Sequence, residues 1–123
     1  MEHTLEVWRD GTCVFHSDER WLHPLRALAA YLEASAVEPA ALTVCDKVTG
    51  RAAALLLAGL GIRRLRTEVL SEPGREVLDR FGFDYTAATR VPAIACATER
   101  LLADTLDPAA AWTLVRQRAG WVV

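Results

Sequence analysis

The chain has 123 residues, a formal charge of −2 and 52% apolar residues. That is the size and composition of one globular domain able to bury a core without staples, and it excludes a disordered chain. The small negative charge argues against a general nucleic-acid binder, which needs a basic face to displace phosphate counterions.

Thr4 to Arg9 alternates polar and apolar residues, Asp10-Gly11 is a two-residue hairpin signal, and Thr12 to His16 reads as the return strand. Ser17 and Asp18 are candidate caps for an amphipathic helix expected over about 22–34, where Trp21, Leu22, Leu25, Leu28, Ala29 and Leu32 recur at helical spacing. Pro24 suits its first turn. Glu38-Pro39 marks a loop, and Leu42 to Cys45 reads as a short buried strand.

A polar turn is expected over Asp46 to Gly50, followed by a helix from Arg51 to Leu60 that is apolar on every face and therefore the most buried. Gly59 or Gly61 can end it. Ile62 to Leu70 is the next strand, with Arg63, Arg64 and Arg66 solvating one side or end. Ser71 caps a further helix with Pro73 in its first turn, Val77, Leu78 and Phe81 inward, and Gly82 as its stop. Tyr85 to Ile94 holds a last strand near Pro92, and Asp107-Pro108 opens a helix to about 118. The order ββ-α-β-α-β-α-β-α gives an α/β fold over residues 1–123: a three-layer α-β-α sandwich on a five-stranded mixed sheet.

Cys13, Cys45 and Cys96 are an odd, irregularly spaced set, which suits a reducing cytoplasm rather than a disulfide framework. No early apolar run reads as a leader, and the longest apolar run is too short to span a bilayer. Cys13 and His16 have a ligand-like gap, but residues three apart on a strand face opposite ways, so no metal ligands and no cofactor are assigned. His23 opens a helix and is expected in solvent. Cys45 packs in a strand, whereas Cys96 is a candidate reactive thiol with Arg90 or Arg100 for charge.

The strongest constellation is the junction from Asp46 to Arg51. Free N–H groups at a helix start, a glycine and the cations Lys47 and Arg51 make an anion seat, and Thr49 caps or binds. Ser71, Glu72 and Gly74 open the next helix in the matching position beside it. Asp46, Lys47, Thr49, Gly50, Arg51, Ser71, Glu72 and Gly74 are therefore the expected ligand-binding residues. Asp46, Lys47, Glu72 and Cys96 are the candidates for catalysis.

The element order resembles the cytidine deaminase-like fold. Zinc deaminases open their second helix with His-x-Glu and their third with Pro-Cys-x-x-Cys. Here the corresponding stretches are Val48-Thr49-Gly50-Arg51-Ala52 and Pro73-Gly74-Arg75-Glu76-Val77, without the zinc motif. The chain more closely resembles an uncharacterised prokaryotic domain-of-unknown-function family of zinc-less, deaminase-like proteins. The resemblance rests on Asp10-Gly11, Ser17 with Arg20 and Pro24-Leu25, Asp46-Lys47-Val48 with Gly50, Ala52 to Leu56, Ser71-Glu72-Pro73, Val91-Pro92, Cys96 with Glu99, and Asp107-Pro108. It implies the fold and a shared pocket, and neither catalytic zinc nor cytidine or adenosine deamination is expected.

Three functions follow as expectations. The first is a binding protein for a small anionic ligand, such as a nucleotide or sugar phosphate, at the two helix starts. The second is a zinc-independent enzyme. The third is a self-associating interaction module using Trp8, Trp21, Trp112 or Trp121. Neither nucleic acid nor membrane is an expected partner.

Overall fold

The computed structural model describes residues 1–121. Five strands form one mixed sheet in the order β2-β1-β3-β4-β5. β1 (Leu5–Arg9) and β2 (Thr12–Ser17) are joined by Asp10 and Gly11. Both turn residues have positive φ, 49° and 79°, the geometry that matches a hairpin turn to strand twist. β1 then pairs antiparallel with β3 (Thr43–Thr49), and β3, β4 (Arg64–Ser71) and β5 (Asp84–Val91) run parallel. This is the α/β, five-stranded mixed sheet the element order predicts, consistent with a three-layer sandwich.

The helices are α1 (His23–Ala34), α2 (Arg51–Gly59), α3 (Glu72–Arg80), α4 (Ala97–Leu101) and α5 (Pro108–Ala119). α2 is the centre of the core: every residue from Arg51 to Ala58 is buried. From Ala52 to Ala58 it is apolar on every side and requires neighbours all round, and it packs against α3 and α5 as well as β3. Trp112 on α5 donates its indole N–H to the Leu56 carbonyl at 3.1 Å, so α5 is keyed to α2 by a buried hydrogen bond. Gly61, at φ 87°, ends the helix as a left-handed residue.

Four local expectations are corrected. β3 does not stop at Cys45: it runs to Thr49, because Val48 and Thr49 pair with Val69 and Leu70 of β4, so the expected polar turn is strand and Gly50 alone links it to α2. α1 is capped at Leu22 with no side-chain bond, while the Ser17 hydroxyl accepts from the Glu19 N–H instead. His23 is half-buried rather than solvated, and accepts from the Trp121 indole at 3.3 Å. α4 has no counterpart in the sequence reading, since five residues are too few to show a helical period. The caps at Ser71 and Asp107 are as expected, accepting from Gly74 N and Ala109 N.

Candidate functional site

β3 carries Asp46 in the middle of the sheet, opposite Leu5 of β1 and Thr67 of β4. The last turn of that strand and the first turn of α2 form the floor of a cavity of about 320 Å³. One wall is the segment Glu19–Leu22 that leads into α1; the other is the segment after β5, with Ile94, Cys96 and Glu99. The chain thus brings together three segments far apart in sequence at the carboxyl end of the parallel strands, where open α/β sheets leave a crevice.

The electrostatics centre on Asp46. Burial pushes its carboxyl from 3.8 up to about 7, against the opposing pull of the Lys47 and Val48 backbone N–H groups and the Thr49 hydroxyl. A hydroxyl chain leads away from it: Asp46 Oδ2 lies 3.3 Å from Thr49 Oγ1, which lies 3.0 Å from Thr67 Oγ1, which donates to the Val69 carbonyl at 3.2 Å. Each hydroxyl has one proton. With Asp46 neutral, its O–H donates to Thr49, Thr49 to Thr67 and Thr67 to Val69. With Asp46 ionised, Thr49 donates to the carboxylate and Thr67 turns to Thr49. Both protonation states therefore find hydrogen-bond partners without movement of the backbone.

The helix starts are arranged differently from the sequence expectation. Glu99 lies across the α2 N-terminus and its two carboxylate oxygens accept from Arg51 N at 2.8 Å and Ala52 N at 2.7 Å. The anion the helix end attracts is thus the chain's own. A Cβ on Gly50 would collide with that carboxylate, which accounts for the glycine. Gly74 meets the other side of the same junction: a Cβ there would lie 3.0 Å from the Gly50 carbonyl carbon and the Thr49 carbonyl oxygen. The two helix N-termini are neighbours as expected, but Gly74 admits the backbone of Thr49 and Gly50, and Gly50 admits the Glu99 carboxylate.

Among the expected ligand-binding residues, Asp46, Lys47 and Gly50 line the cavity, and Thr49 acts beneath it through Asp46. Arg51 does not line it. Successive helix residues diverge by roughly 100°, and its buried side chain reaches Glu76 at 3.1 Å and the Thr105 carbonyl at 2.7 Å. It ties α2 to α3 and to the segment before α5. Ser71, Glu72 and Gly74 are likewise absent from the lining: Ser71 is the α3 cap, and Glu72 accepts from Arg75 at 2.8 Å on the surface. Of the catalytic candidates the cavity therefore unites Asp46, Lys47 and Cys96, without Glu72.

Sequence reading did not select Glu19, Arg20, Trp21 or Ile94 as site residues. Trp21 has a left-handed φ of 59°, uncommon for a bulky residue and costing about 1 kcal/mol or more. The ring is 43% exposed at the mouth, 5.4 Å from the His23 ring and 6.1 Å from that of Trp121. No local motif announces that conformation. Trp112 and Trp121 are taken up by the core, and Trp8 is half-buried, so the tryptophans do not form one exposed patch. Neither Arg20 nor Lys47 makes an ion pair among the described residues. No helix among those residues is long and apolar enough to cross a membrane.

The crystal structure of a DUF1893 family protein, TM1506 from Thermotoga maritima, superimposes with a TM-score of 0.81. At 21% identity the match covers 94% of this chain and 80% of that one, which shows the shared fold. A search of the curated proteins finds no match. The family described as a domain of unknown function (DUF1893) matches residues 3–118. With nearly its whole length matched, the chain belongs to the DUF1893 family, a domain of unknown function.

Proposed function

We propose that the protein binds a nucleotide or another small phosphorylated metabolite in the cavity above Asp46. The observation that supports this reading is a carboxyl group on a mostly apolar floor, with the cations Arg20 and Lys47, which make no ion pair among the described residues, at the rim. An apolar pocket with a few convergent polar groups is the usual form of a small-molecule site. A neutral Asp46 offers an O–H donor and a carbonyl acceptor to the polar edge of a ligand. Arg20 and Lys47 supply the charge for a phosphate, since Glu99 already holds the α2 N-terminus.

The test is calorimetric titration with nucleotides, sugar phosphates and their dephosphorylated counterparts, with folding followed by circular dichroism. Arg20→Ala and Lys47→Ala weaken the phosphorylated ligands selectively, and Asp46→Ala weakens both kinds. Wild type that binds none of these compounds, or binding indifferent to all three changes, refutes the reading.

A second reading, a zinc-independent enzyme, is favoured by Asp46 and Cys96 lining the same cavity. A carboxyl that titrates near neutrality is suited to moving a proton. Lys47 would orient or charge the substrate, and Glu72 has no part in it. Turnover of any bound metabolite, with a pH profile that inflects near 7 and is abolished in Asp46→Asn, distinguishes this reading from simple binding.

A further inference from the structure

We propose that His3, His16 and Asp18 form a binding site for a divalent transition-metal ion of the zinc class, at the open end of the β1–β2 hairpin. The strand register builds this corner. Glu6 pairs with His16 and Leu5 with Ser17, and the Thr4 N–H continues the ladder to the Ser17 carbonyl at 3.1 Å. The Thr4 hydroxyl lies 2.8 Å from that carbonyl and 2.7 Å from that of Glu19, which pins the chain on both sides of the cluster. His16 lies near the end of β2 and Asp18 just past its last residue, Ser17, and His3, from the segment before β1, meets both.

The three side chains are already gathered. His3 Nδ1 and Asp18 Oδ1 are 2.8 Å apart, and the His3 and His16 rings stack with centroids 3.9 Å apart. One ligand atom from each residue lies within 4.8 Å of the others. Ligands about 2.0–2.2 Å from a common ion sit roughly 3–4 Å from one another. Rotation of the exposed His16 and Asp18 side chains supplies the remaining convergence. Two imidazoles and one carboxylate suit a borderline ion such as zinc, with a fourth position left to water. Calcium and magnesium prefer oxygen ligands throughout.

The sequence does not show this set: it places only Cys13 at a ligand-like gap from His16, and strand alternation turns that pair apart. The Cys13 thiol instead donates to the Phe15 carbonyl at 3.5 Å, while the hairpin supplies His3 from a distant position. The site is separate from the floor of the Asp46 cavity and does not depend on the ligand proposed there. An ion here would fix Asp18 immediately before Glu19–Trp21, the segment that forms the cavity rim.

The experiment is titration of tag-free protein with zinc chloride in a non-chelating buffer at neutral pH. About one ion per chain is expected, weakened about tenfold or more in His3→Ala, His16→Ala and Asp18→Asn. Cys13→Ser binds as wild type does, and excess magnesium does not compete. Cobalt(II) in place of zinc gives a spectrum without thiolate-to-metal charge transfer. In the unmodified protein, zinc shifts the imidazole nitrogen resonances of His3 and His16, a readout that needs no variant. Absence of zinc binding, affinity indifferent to His16→Ala, or affinity lost in Cys13→Ser overturns the proposal.

Discussion

Replacing Asp46 by Asn should make the protein progressively more stable than wild type as pH rises. The fold raises the Asp46 carboxyl from 3.8 to about 7, so the native state holds a proton that the unfolded chain has released. The contribution to stability is therefore full below the unfolded value and is lost as pH climbs through the native one. At 1.36 kcal/mol per pH unit, the rise corresponds to about 4 kcal/mol. Asn is neutral at every pH and removes this dependence. It introduces a fixed offset, because an amide N–H₂ cannot accept from Thr49 as the carboxylate does. The informative quantity is thus the change in the stability difference with pH, not its value at one pH. Urea unfolding followed by tryptophan fluorescence, at about pH 4 and about pH 8, should show the variant gaining roughly 3–4 kcal/mol on wild type across that interval. A difference that stays constant with pH means that Asp46 ionises like a solvated carboxyl, and removes the basis for the proposed role of Asp46 as proton donor or acceptor.

Three further outcomes follow from the packing around α2. Glu99→Ala removes two charge-assisted bonds from Arg51 N and Ala52 N and should cost about 1–2 kcal/mol. Sulfate should restore part of that loss by occupying the vacated helix end, so a variant that is neither destabilised nor sulfate-responsive contradicts the capping role. Gly74→Ala places a methyl group 3.0 Å from backbone atoms of Thr49 and Gly50 and should cost about 1–3 kcal/mol by thermal unfolding. Arg51→Ala should lower stability by about 2–3 kcal/mol through lost bonds to Thr105 and Glu76. It should also leave ligand affinity in the cavity unchanged; a selective loss of affinity without loss of stability would return Arg51 to the site.

What the sequence determined by itself is the part written in short windows. The Asp10-Gly11 turn, the caps at Ser71 and Asp107 and the all-apolar Ala52–Ala58 stretch each depend on residues a few positions apart, so propensity and periodicity specify them. That a buried strand passes to a buried helix near Gly50 was also legible, because polar residues and a glycine between two apolar stretches mark a junction. The tertiary structure alone decided what that junction faces. Strand pairing with Val69 and Leu70 turned an expected loop into the end of β3. The segment after β5 returned Glu99 to a helix 47 residues earlier in the chain, filling the anion seat the sequence had left for a ligand. Packing of α3 against α2 directed Arg51 and Gly74 into the protein rather than into the cavity. Burial, not any local motif, set the proton affinity of Asp46. Such features depend on which segments the sheet order makes neighbours, and that is a property of the assembled chain rather than of any window within it.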